Sequence, residues 1–286
     1  MGLAAACALV LALTLVPSVG GNRPPVLHPL GPRAARQYVR VSSIPTRPNR
    51  DLPDDVSGRQ VHFLYVIPHD GRDRRLDVRG KIADAAAAMN RWLAARSGGK
   101  TLPYDTYRGR LDVSFVRLPS SDADGAARGE YLRNLIQFEL RWMGFDAPNK
   151  VLAVFYDGRT TSSCGTGAWP PMLPGTVAAF ALQGGARSYD CGAQRFAGPG
   201  RAAGYLELSE LHEILHTVGF APACAPHFRP HGHVADSPHD LMYAGGKAWE
   251  PTALDAGHDD YFRAGIPRCP DLATSGWLVR RPPVAR

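Results

Sequence analysis

The sequence lacks the features of a membrane protein, a fibre or a disordered polymer. Of its 286 residues, 44% are hydrophobic and 21% are charged, which are ordinary proportions for a globular protein. Its long apolar run, Leu3–Val16, is shorter than the roughly 20 residues that a bilayer span requires. We therefore expect no membrane span in the mature chain.

Signals for nucleic-acid and nucleotide binding are also missing. The formal net charge is +7, but the arginines are scattered from Arg23 to Arg286, and aromatic residues do not alternate with basic ones as a base-stacking surface would require. The chain contains neither a GxxxxGK(S/T) phosphate loop nor a GxSxG serine-nucleophile motif. These absences argue against a nucleic-acid partner and against a serine hydrolase.

The beginning of the chain and its cysteines suggest export. Residues 1–21 combine the apolar run with small residues at Ser18–Gly21, and we interpret them as a signal peptide that lacks the usual basic start. Four cysteines follow it, an even number that predicts two disulfides in an exported chain. Proximity along the chain favours the pairs Cys164–Cys191 and Cys224–Cys269. The sequence therefore predicts a secreted, extracellular protein.

The rest of the chain divides into an arm and one domain. Residues 22–58 contain seven prolines and several arginines, which predicts an extended linker or a propeptide-like arm. In the domain, residues 59–286, the apolar pattern predicts strands at Val61–Pro68, Leu111–Leu118, Lys150–Asp157 and Thr176–Leu182, and helices at Val78–Arg96, Ala126–Met143 and Leu254–Arg263. This order favours a mixed sheet flanked by helices.

The most informative stretch is Tyr205–Phe220, whose apolar spacing predicts a buried helix. It contains an HExxH motif in which His212 and His216 lie four residues apart, on one helical face, where both can bind one metal ion. Glu213 is rotated by about 100° and stays free to act on a water molecule. Random placement of this chain's histidines and glutamates would give roughly 0.007 such motifs, so the match predicts a metal site.

With this motif the chain resembles the zincin metallopeptidases and, within them, the metzincin branch. The resemblance rests on HEILHTVG, in which a glycine follows the second histidine by three residues, and on Asp240–Tyr243 (DLMY), which is similar to a Met-turn. It implies an α+β fold with a mixed twisted sheet, two packed helices, an active-site helix and a loop-rich C-terminal subdomain. It also implies Zn²⁺ as the cofactor, Glu213 as the catalytic residue and Met242 as a structural residue beneath the metal.

The third metal ligand departs from the metzincin pattern, because Pro222 occupies the position six residues after His216. Three residues of the loop that follows are candidates instead: His233, Asp236 and His227. We favour His233, because the glycine before it permits a close backbone approach and the valine after it supplies an apolar anchor. The other two remain alternatives, since zinc accepts a carboxylate or an imidazole.

These residues predict a secreted zinc-dependent endopeptidase that hydrolyses peptide bonds with a zinc-activated water and Glu213 as the general base. Two alternatives stay open. One is a zinc-binding protein without turnover, an inactive zincin fold; the other is a zinc hydrolase that acts on amides other than peptides. The expected partner is a peptide or protein substrate, and we expect a monomer.

Overall fold

The computed structural model describes residues 47–280, so the predicted signal peptide at 1–21 and the first part of the predicted arm, residues 22–46 of 22–58, lie outside the described residues and stay predictions. The described chain contains these helices: α1 Lys81–Ser97, α2 Asp122–Ala127, α3 Leu132–Trp142 and α4 Tyr205–Thr217. Its strands are β1 Gln60–Ile67, β2 Lys100–Thr101, β3 Thr106–Tyr107, β4 Arg110–Leu111, β5 Val113–Arg117, β6 Lys150–Thr160, β7 Gly165–Trp169, β8 Leu173–Gly184, β9 Phe228–Arg229, β10 His233–Val234 and β11 Val279–Arg280.

Five strands form the central sheet in the order β5-β1-β6-β8-β7. The strands β5, β1, β6 and β8 are parallel, whereas β7 runs antiparallel to β8 and forms one edge. The short strands pair in separate two-stranded ribbons. The architecture is thus a mixed sheet flanked by helices, as the order of elements in the sequence predicts.

Strand β1 shows why the sheet is covered on both faces. All of its residues are buried, and successive side chains of a strand point to opposite faces. Phe63, Tyr65 and Ile67 pack in one apolar cluster with α1 and α4, and Leu64 and Val66 pack in a second cluster with α3. A strand buried on both faces has a continuous apolar sequence rather than an alternating one. The helix that carries HExxH therefore lies on the α1 side of the sheet.

The helix predicted at Ala126–Met143 is divided in the structure. It consists of the end of α2, a 3-10 turn at Gly129–Tyr131 and then α3. Gly129 has a φ of 54°, a left-handed conformation that a continuous α-helix does not accommodate. The prediction of one helix was therefore wrong at its first turn and right over α3.

The helix predicted at Leu254–Arg263 is absent, and the segment is an ordered loop. The Asp255 carboxylate accepts hydrogen bonds from the backbone N–H groups of Tyr261 (2.8 Å) and Phe262 (2.6 Å). A side chain that satisfies backbone donors in this way competes with helical hydrogen bonding. Beyond Thr217 the described chain contains only loops and the short strands β9, β10 and β11.

The last residues of the predicted arm, 47–58, pack on the domain. Lys150 Nζ lies 2.7 Å from Asp51 and 2.6 Å from Asp54, and it also contacts the buried Asp105 at 2.7 Å. Arg47 forms an ion pair with Asp73 at 2.5 Å. The segment is thus held by charge pairs, whereas the domain boundary at residue 58 stays a prediction.

Two disulfides, Cys164–Cys191 and Cys224–Cys269, join the pairs that proximity favoured. They close loops of 27 and 45 residues, which in the chain-entropy description stabilises the fold by about 3.5 to 4 kcal/mol each. The second disulfide ties together the loops on either side of β10. None of the helices over residues 47–280 has the length and apolar character that crossing a bilayer demands.

Candidate metal centre

The two histidines of the motif lie on α4, in which every residue from Leu206 to Thr217 is buried. The start of this helix is fixed by Glu207, whose carboxylate accepts hydrogen bonds from the backbone N–H groups of Gly204 (2.8 Å) and Ala197 (2.6 Å). The helix packs against β7 and β8 at the edge of the sheet. Polar side chains on such a helix are removed from water and need partners.

Three imidazoles converge at this position. His216 Nε2 lies 2.8 Å from His212 Nε2 and 3.2 Å from His233 Nε2. One nitrogen from each of the three rings lies within 4.8 Å of the other two. Three nitrogens bound to a tetrahedral zinc ion at 2.0–2.1 Å would be about 3.3 Å apart, so this arrangement has the dimensions of a zinc site.

The hydrogen bonds of two of the rings leave their facing nitrogens with free lone pairs. His212 Nδ1 lies 2.6 Å from the carbonyl oxygen of Leu241, and His233 Nδ1 lies 3.2 Å from that of Pro230. A carbonyl only accepts, so each Nδ1 carries the proton and each Nε2 of these neutral rings has a free lone pair. A single proton on His216 Nε2 can form a hydrogen bond with only one of the two neighbouring Nε2 atoms. A cation among the three nitrogens would instead interact favourably with all of them. The residues therefore fit a bound zinc ion.

Burial keeps these imidazoles neutral. It lowers the pKa of His212 to about 3 and that of His216 well below its usual value, and it also lowers the pKa of His233. The proximity of His233 contributes further to the first two shifts. A metal ion binds the unprotonated ring, so the site holds its ligands in the binding form at neutral pH.

A short hairpin brings His233 to the helix. Strands β9 and β10 pair with His233 opposite Arg229, and the turn between them contains Gly232 at a φ of 78°. A Cβ at Gly232 would collide with the indole ring of Trp169, so the position requires glycine for its conformation and for its packing. Val234 is fully buried and anchors the strand, as the sequence suggested.

The turn at Asp240–Tyr243 orients the first histidine. Leu241 supplies the carbonyl oxygen that accepts from His212, and Met242 is fully buried in the same turn. The backbone of β10 continues onto this turn, because Val234 N–H donates to Met242 O at 3.0 Å. Trp249 Nε1 donates to Leu241 O at 3.1 Å, and its ring lies edge-on to His212 at 5.8 Å. The position of Met242 beneath a bound metal stays a prediction.

Asp240 stabilises this turn from inside the fold. Its carboxylate accepts hydrogen bonds from the backbone N–H groups of Met242 (2.6 Å) and Ala256 (2.9 Å) and from the hydroxyl of Tyr261 (2.7 Å). Tyr261 is fully buried, and its hydroxyl oxygen also lies against the carbonyl oxygen of Leu254. The loop at Leu254–Arg263, where a helix was expected, therefore stabilises the Asp240–Tyr243 turn, and that turn orients His212.

Glu213 stands beside the three histidines and outside their convergence point. A Cβ on Gly165 would collide with its carboxylate, and a Cβ on Gly167 would collide with its backbone carbonyl. The glycines of edge strand β7 thus permit the close approach of this side chain. Burial raises the pKa of Glu213 to about 8, and a backbone hydrogen bond from Gly167 acts in the opposite direction. Such a carboxyl group is suited to exchanging protons near neutral pH.

A cavity of about 320 Å³ opens beside these residues. His212, Glu213 and His233 line it together with Trp249 and Tyr243. Two further aromatic residues and a serine line it from the loop after β8 and from the start of α4: Tyr189, Tyr205 and Ser209. Among the residues 47–280 that the structure describes, neither a lysine nor an arginine lines it. The site is therefore open to a ligand whose bound part is uncharged or apolar.

The two alternative ligands lie elsewhere. His227 and Asp236 belong to a separate group with Asp259 and Asp260, and the hydrogen bond of His227 Nδ1 goes to Asp260 at 3.1 Å. The structure thus brings only His233 of the three candidates to His212 and His216.

Several residues of the site could not be predicted, because they belong to no recognisable sequence motif. Trp249 lies eight residues beyond Leu241, in a segment without periodicity, and Gly165 and Gly167 lie in a stretch rich in glycine where only β8 was predicted. The alternation of glycines in GTGAW is the signal that would indicate a strand with one face against a neighbouring helix.

No family model and no curated protein matches this sequence. Among solved structures, the chain is similar to archaemetzincin from Methanopyrus kandleri, with 14% identity and a TM-score of 0.36, over 66% of this chain and 83% of that chain. It is also similar to a chain in a chaperone–substrate complex, with 10% identity and a TM-score of 0.32, over 77% of this chain and 34% of that chain.

Proposed function

We propose that this protein is an exported zinc-dependent peptidase with a zincin-like fold. The observation that carries the proposal is the convergence of three imidazole nitrogens beside a carboxyl group that is not one of the converging ligands. His212, His216 and His233 would hold the ion. Zn²⁺, when bound, supplies a Lewis acid that makes water more acidic and polarises a carbonyl group.

Glu213 would act as the proton carrier. It lies next to the ligands on the same helix, lines the cavity and is held against β7. In its ionised form it accepts a proton from the attacking water, and in its protonated form it returns that proton to the leaving amine. Its buried position raises its pKa, which strengthens it as a base once ionised.

The surroundings of the site support a peptide substrate from outside the cell. Of the described residues that line the cavity, Glu213 is the one acidic or basic side chain besides the neutral histidines, so the cavity suits the apolar part of a chain better than a charged group. The two disulfides are typical of proteins that fold in an oxidising compartment. Export by residues 1–21 is part of the proposal.

Two other functions are possible with the same three histidines: a structural zinc site and an amide hydrolase. A structural zinc site closes four protein ligands around the ion, whereas three histidines leave one position open. A non-ligand carboxyl group inside the site has no purpose in a purely structural centre. An amide hydrolase would share every residue described here, and only its substrates would differ.

The test compares the wild-type chain with Glu213→Gln. Both are expected to hold one zinc per chain by metal analysis, and only the wild type is expected to cleave a broad peptide library, with the variant at least about 100-fold slower. Apo protein reloaded with zinc provides the matched control. Zinc at one per chain without peptide cleavage by the wild type would refute the peptidase, and cleavage of non-peptide amides alone would identify the amide hydrolase.

A further inference from the structure

A second group of side chains able to bind a metal lies away from the candidate metal centre, near the start of strands β1 and β5. It consists of Asp51, His62, Asp105 and Asp112, and one donor atom from each of them lies within 4.8 Å of the other three. Donor atoms that surround one cation at roughly 2.3–2.6 Å are about 3 to 5 Å apart, so the group has the dimensions of a cation site. We call these four residues the arm-edge cluster.

Separate parts of the chain supply the arm-edge cluster. His62 lies on β1, and its ring packs against Phe145 in the core on the α3 side of the sheet, with the ring centroids 6.0 Å apart. Asp105 precedes β3, Asp112 precedes β5, and Asp51 belongs to the last residues of the predicted arm. A cation bound here would therefore join the arm to the edge of the sheet.

Hydrogen bonds define the state of the His62 ring. Ser114 Oγ donates its one hydrogen to the carbonyl oxygen of Arg50 at 2.9 Å, so it accepts from His62 Nε2 at 3.0 Å. The neutral ring therefore has its lone pair on Nδ1, which lies 2.7 Å from Asp105 Oδ2 and 3.6 Å from Asp51 Oδ1. A lone pair that faces carboxylate oxygens requires a metal ion or a proton between them.

A proton on this nitrogen would leave other buried oxygens without a partner. Asp105 and Asp112 are fully buried, and among residues 47–280 no group donates a hydrogen bond to Oδ1 of either side chain. Burial of an ionised carboxylate is strongly unfavourable unless its oxygens are paired. These oxygens therefore need a positively charged ligand that several acceptors can share.

The charges around the arm-edge cluster are unbalanced as well. Lys150 is buried and forms ion pairs with Asp51, Asp54 and Asp105, at 2.6 to 2.7 Å, but it supplies only one positive charge. With Asp112, four carboxylates are combined with one ammonium group, and three negative charges remain beside a neutral imidazole. A divalent cation would offset most of this charge.

From the donor set, the unpartnered oxygens and the excess of negative charge, we propose that the arm-edge cluster binds a divalent cation of the class that carboxylate oxygens prefer, such as Mn²⁺ or Ca²⁺. The single imidazole donor favours Mn²⁺, because Ca²⁺ takes oxygen ligands. The side chain of Asp51 is 26% exposed, so water can complete the coordination from that side. The cation would anchor the arm, and this site is independent of the proposed peptidase.

The experiment measures Mn²⁺ binding to the full chain after one equivalent of zinc has been added to fill the site on α4. Free Mn²⁺ is followed by its electron paramagnetic resonance signal. The wild type is expected to bind one Mn²⁺ per chain with a Kd of about 100 µM or tighter, as extracellular cation modules do. At about 100 times the Kd, the Tm is expected to rise by roughly 5 to 10 °C. Ca²⁺ is expected to compete with Mn²⁺ more weakly.

Asp112→Asn tests the site, because it removes a charge and keeps an oxygen that can accept from the backbone N–H of Leu52. The variant is expected to bind Mn²⁺ at least about 10-fold more weakly. Without Mn²⁺ its Tm is expected to equal or exceed that of the wild type, since an unbalanced buried charge is lost. Asp54→Asn is the matched control: Asp54 contacts Lys150 but lies outside the arm-edge cluster, so Mn²⁺ affinity should change by no more than a few-fold.

Several results would overturn the proposal. One is a zinc-loaded wild type that binds neither Mn²⁺ nor Ca²⁺, and another is an Asp112→Asn variant with unchanged Mn²⁺ affinity. Loss of binding in Asp259→Asn instead would assign the cation to the separate group around His227. An Asp112→Asn variant that is less stable than the wild type when both are free of Mn²⁺ would show that the carboxylate is paired with a protonated His62 and that no metal is needed.

Discussion

Replacing His233 by alanine is expected to remove one of three zinc ligands while leaving the fold intact. The ring is half-buried at the tip of a two-stranded ribbon, with its centroid 4.6 Å from that of His216 and 5.3 Å from that of His212. In the metal-free protein these contacts join three neutral imidazole rings, which attract one another only weakly. In the metal-free protein the substitution should therefore change the free energy of unfolding by about 1 kcal/mol or less.

The effect on zinc binding is expected to be much larger. Loss of a group that only orients a ligand typically weakens metal binding 10- to 100-fold, and loss of the ligand itself must exceed that range. We therefore expect His233→Ala to weaken zinc binding more than about 100-fold, or about 2.7 kcal/mol. The assay is competition for zinc against a chelating dye at pH 7, and His227→Ala and Asp236→Ala serve as matched controls.

The controls decide between the three candidate ligands. Both control residues lie in the separate group around Asp260, so neither variant should change the zinc affinity by more than a few-fold. If His227→Ala or Asp236→Ala lost zinc while His233→Ala retained it, the convergence of nitrogens on α4 would not be the metal site. That result would also remove the basis of the proposed peptidase.

Three further predictions concern the same site. Trp249→Phe keeps an aromatic ring but loses the hydrogen bond to Leu241 O, whose carbonyl orients His212. It should therefore weaken zinc binding 10- to 100-fold in the dye competition. An unchanged affinity would show that the turn does not depend on this hydrogen bond. Removing zinc with a chelator, from a protein saturated at about 1,000 times its Kd, should cost about 4 kcal/mol and lower the Tm by roughly 8 to 16 °C, measured by calorimetry. In the metal-free protein the pKa of His212 is about 3, whereas an unfolded histidine has a pKa of about 6.5. The unfolded His212 therefore binds one more proton between these values, which on its own lowers stability as the pH falls below 6.5, whereas the raised pKa of Glu213 acts in the opposite direction. An NMR titration of the His212 ring in the metal-free protein should therefore show a ring that is still neutral at pH 5, and protonation near pH 6.5 would contradict a buried, neutral His212.

The parts of the fold that follow from the sequence are those fixed by local periodicity. Strand β6 and helix α4 are long and apolar, and each was predicted within a few residues of its bounds. The pair His212 and His216 needs only the geometry of one helical turn, so the spacing alone places both rings on one face. The cysteine pairs followed from proximity because each disulfide closes a loop within one region of the chain.

Other parts of the fold could not be predicted from the sequence, because tertiary contacts determine their structure. The segment Leu254–Arg263 has helical spacing, yet the Asp255 carboxylate takes up its backbone donors and keeps it a loop. Strand β7 has almost no apolar side chains to form a pattern, because its glycines lie against Glu213. A sequence pattern reports side-chain burial, and a strand that packs through its backbone gives no such signal.

The third ligand shows how a displaced residue can still reach the metal. His233 lies seventeen positions after His216, whereas a metzincin-like spacing would place the ligand six positions after it. The longer loop returns because β10 joins the Asp240–Tyr243 turn through backbone hydrogen bonds, at Val234 N–H and at Ala244 N–H. The same turn holds His212 through the carbonyl of Leu241. One backbone unit thus sets the positions of two rings from distant parts of the chain, so the distance between them depends on this turn and not on the length of the loop.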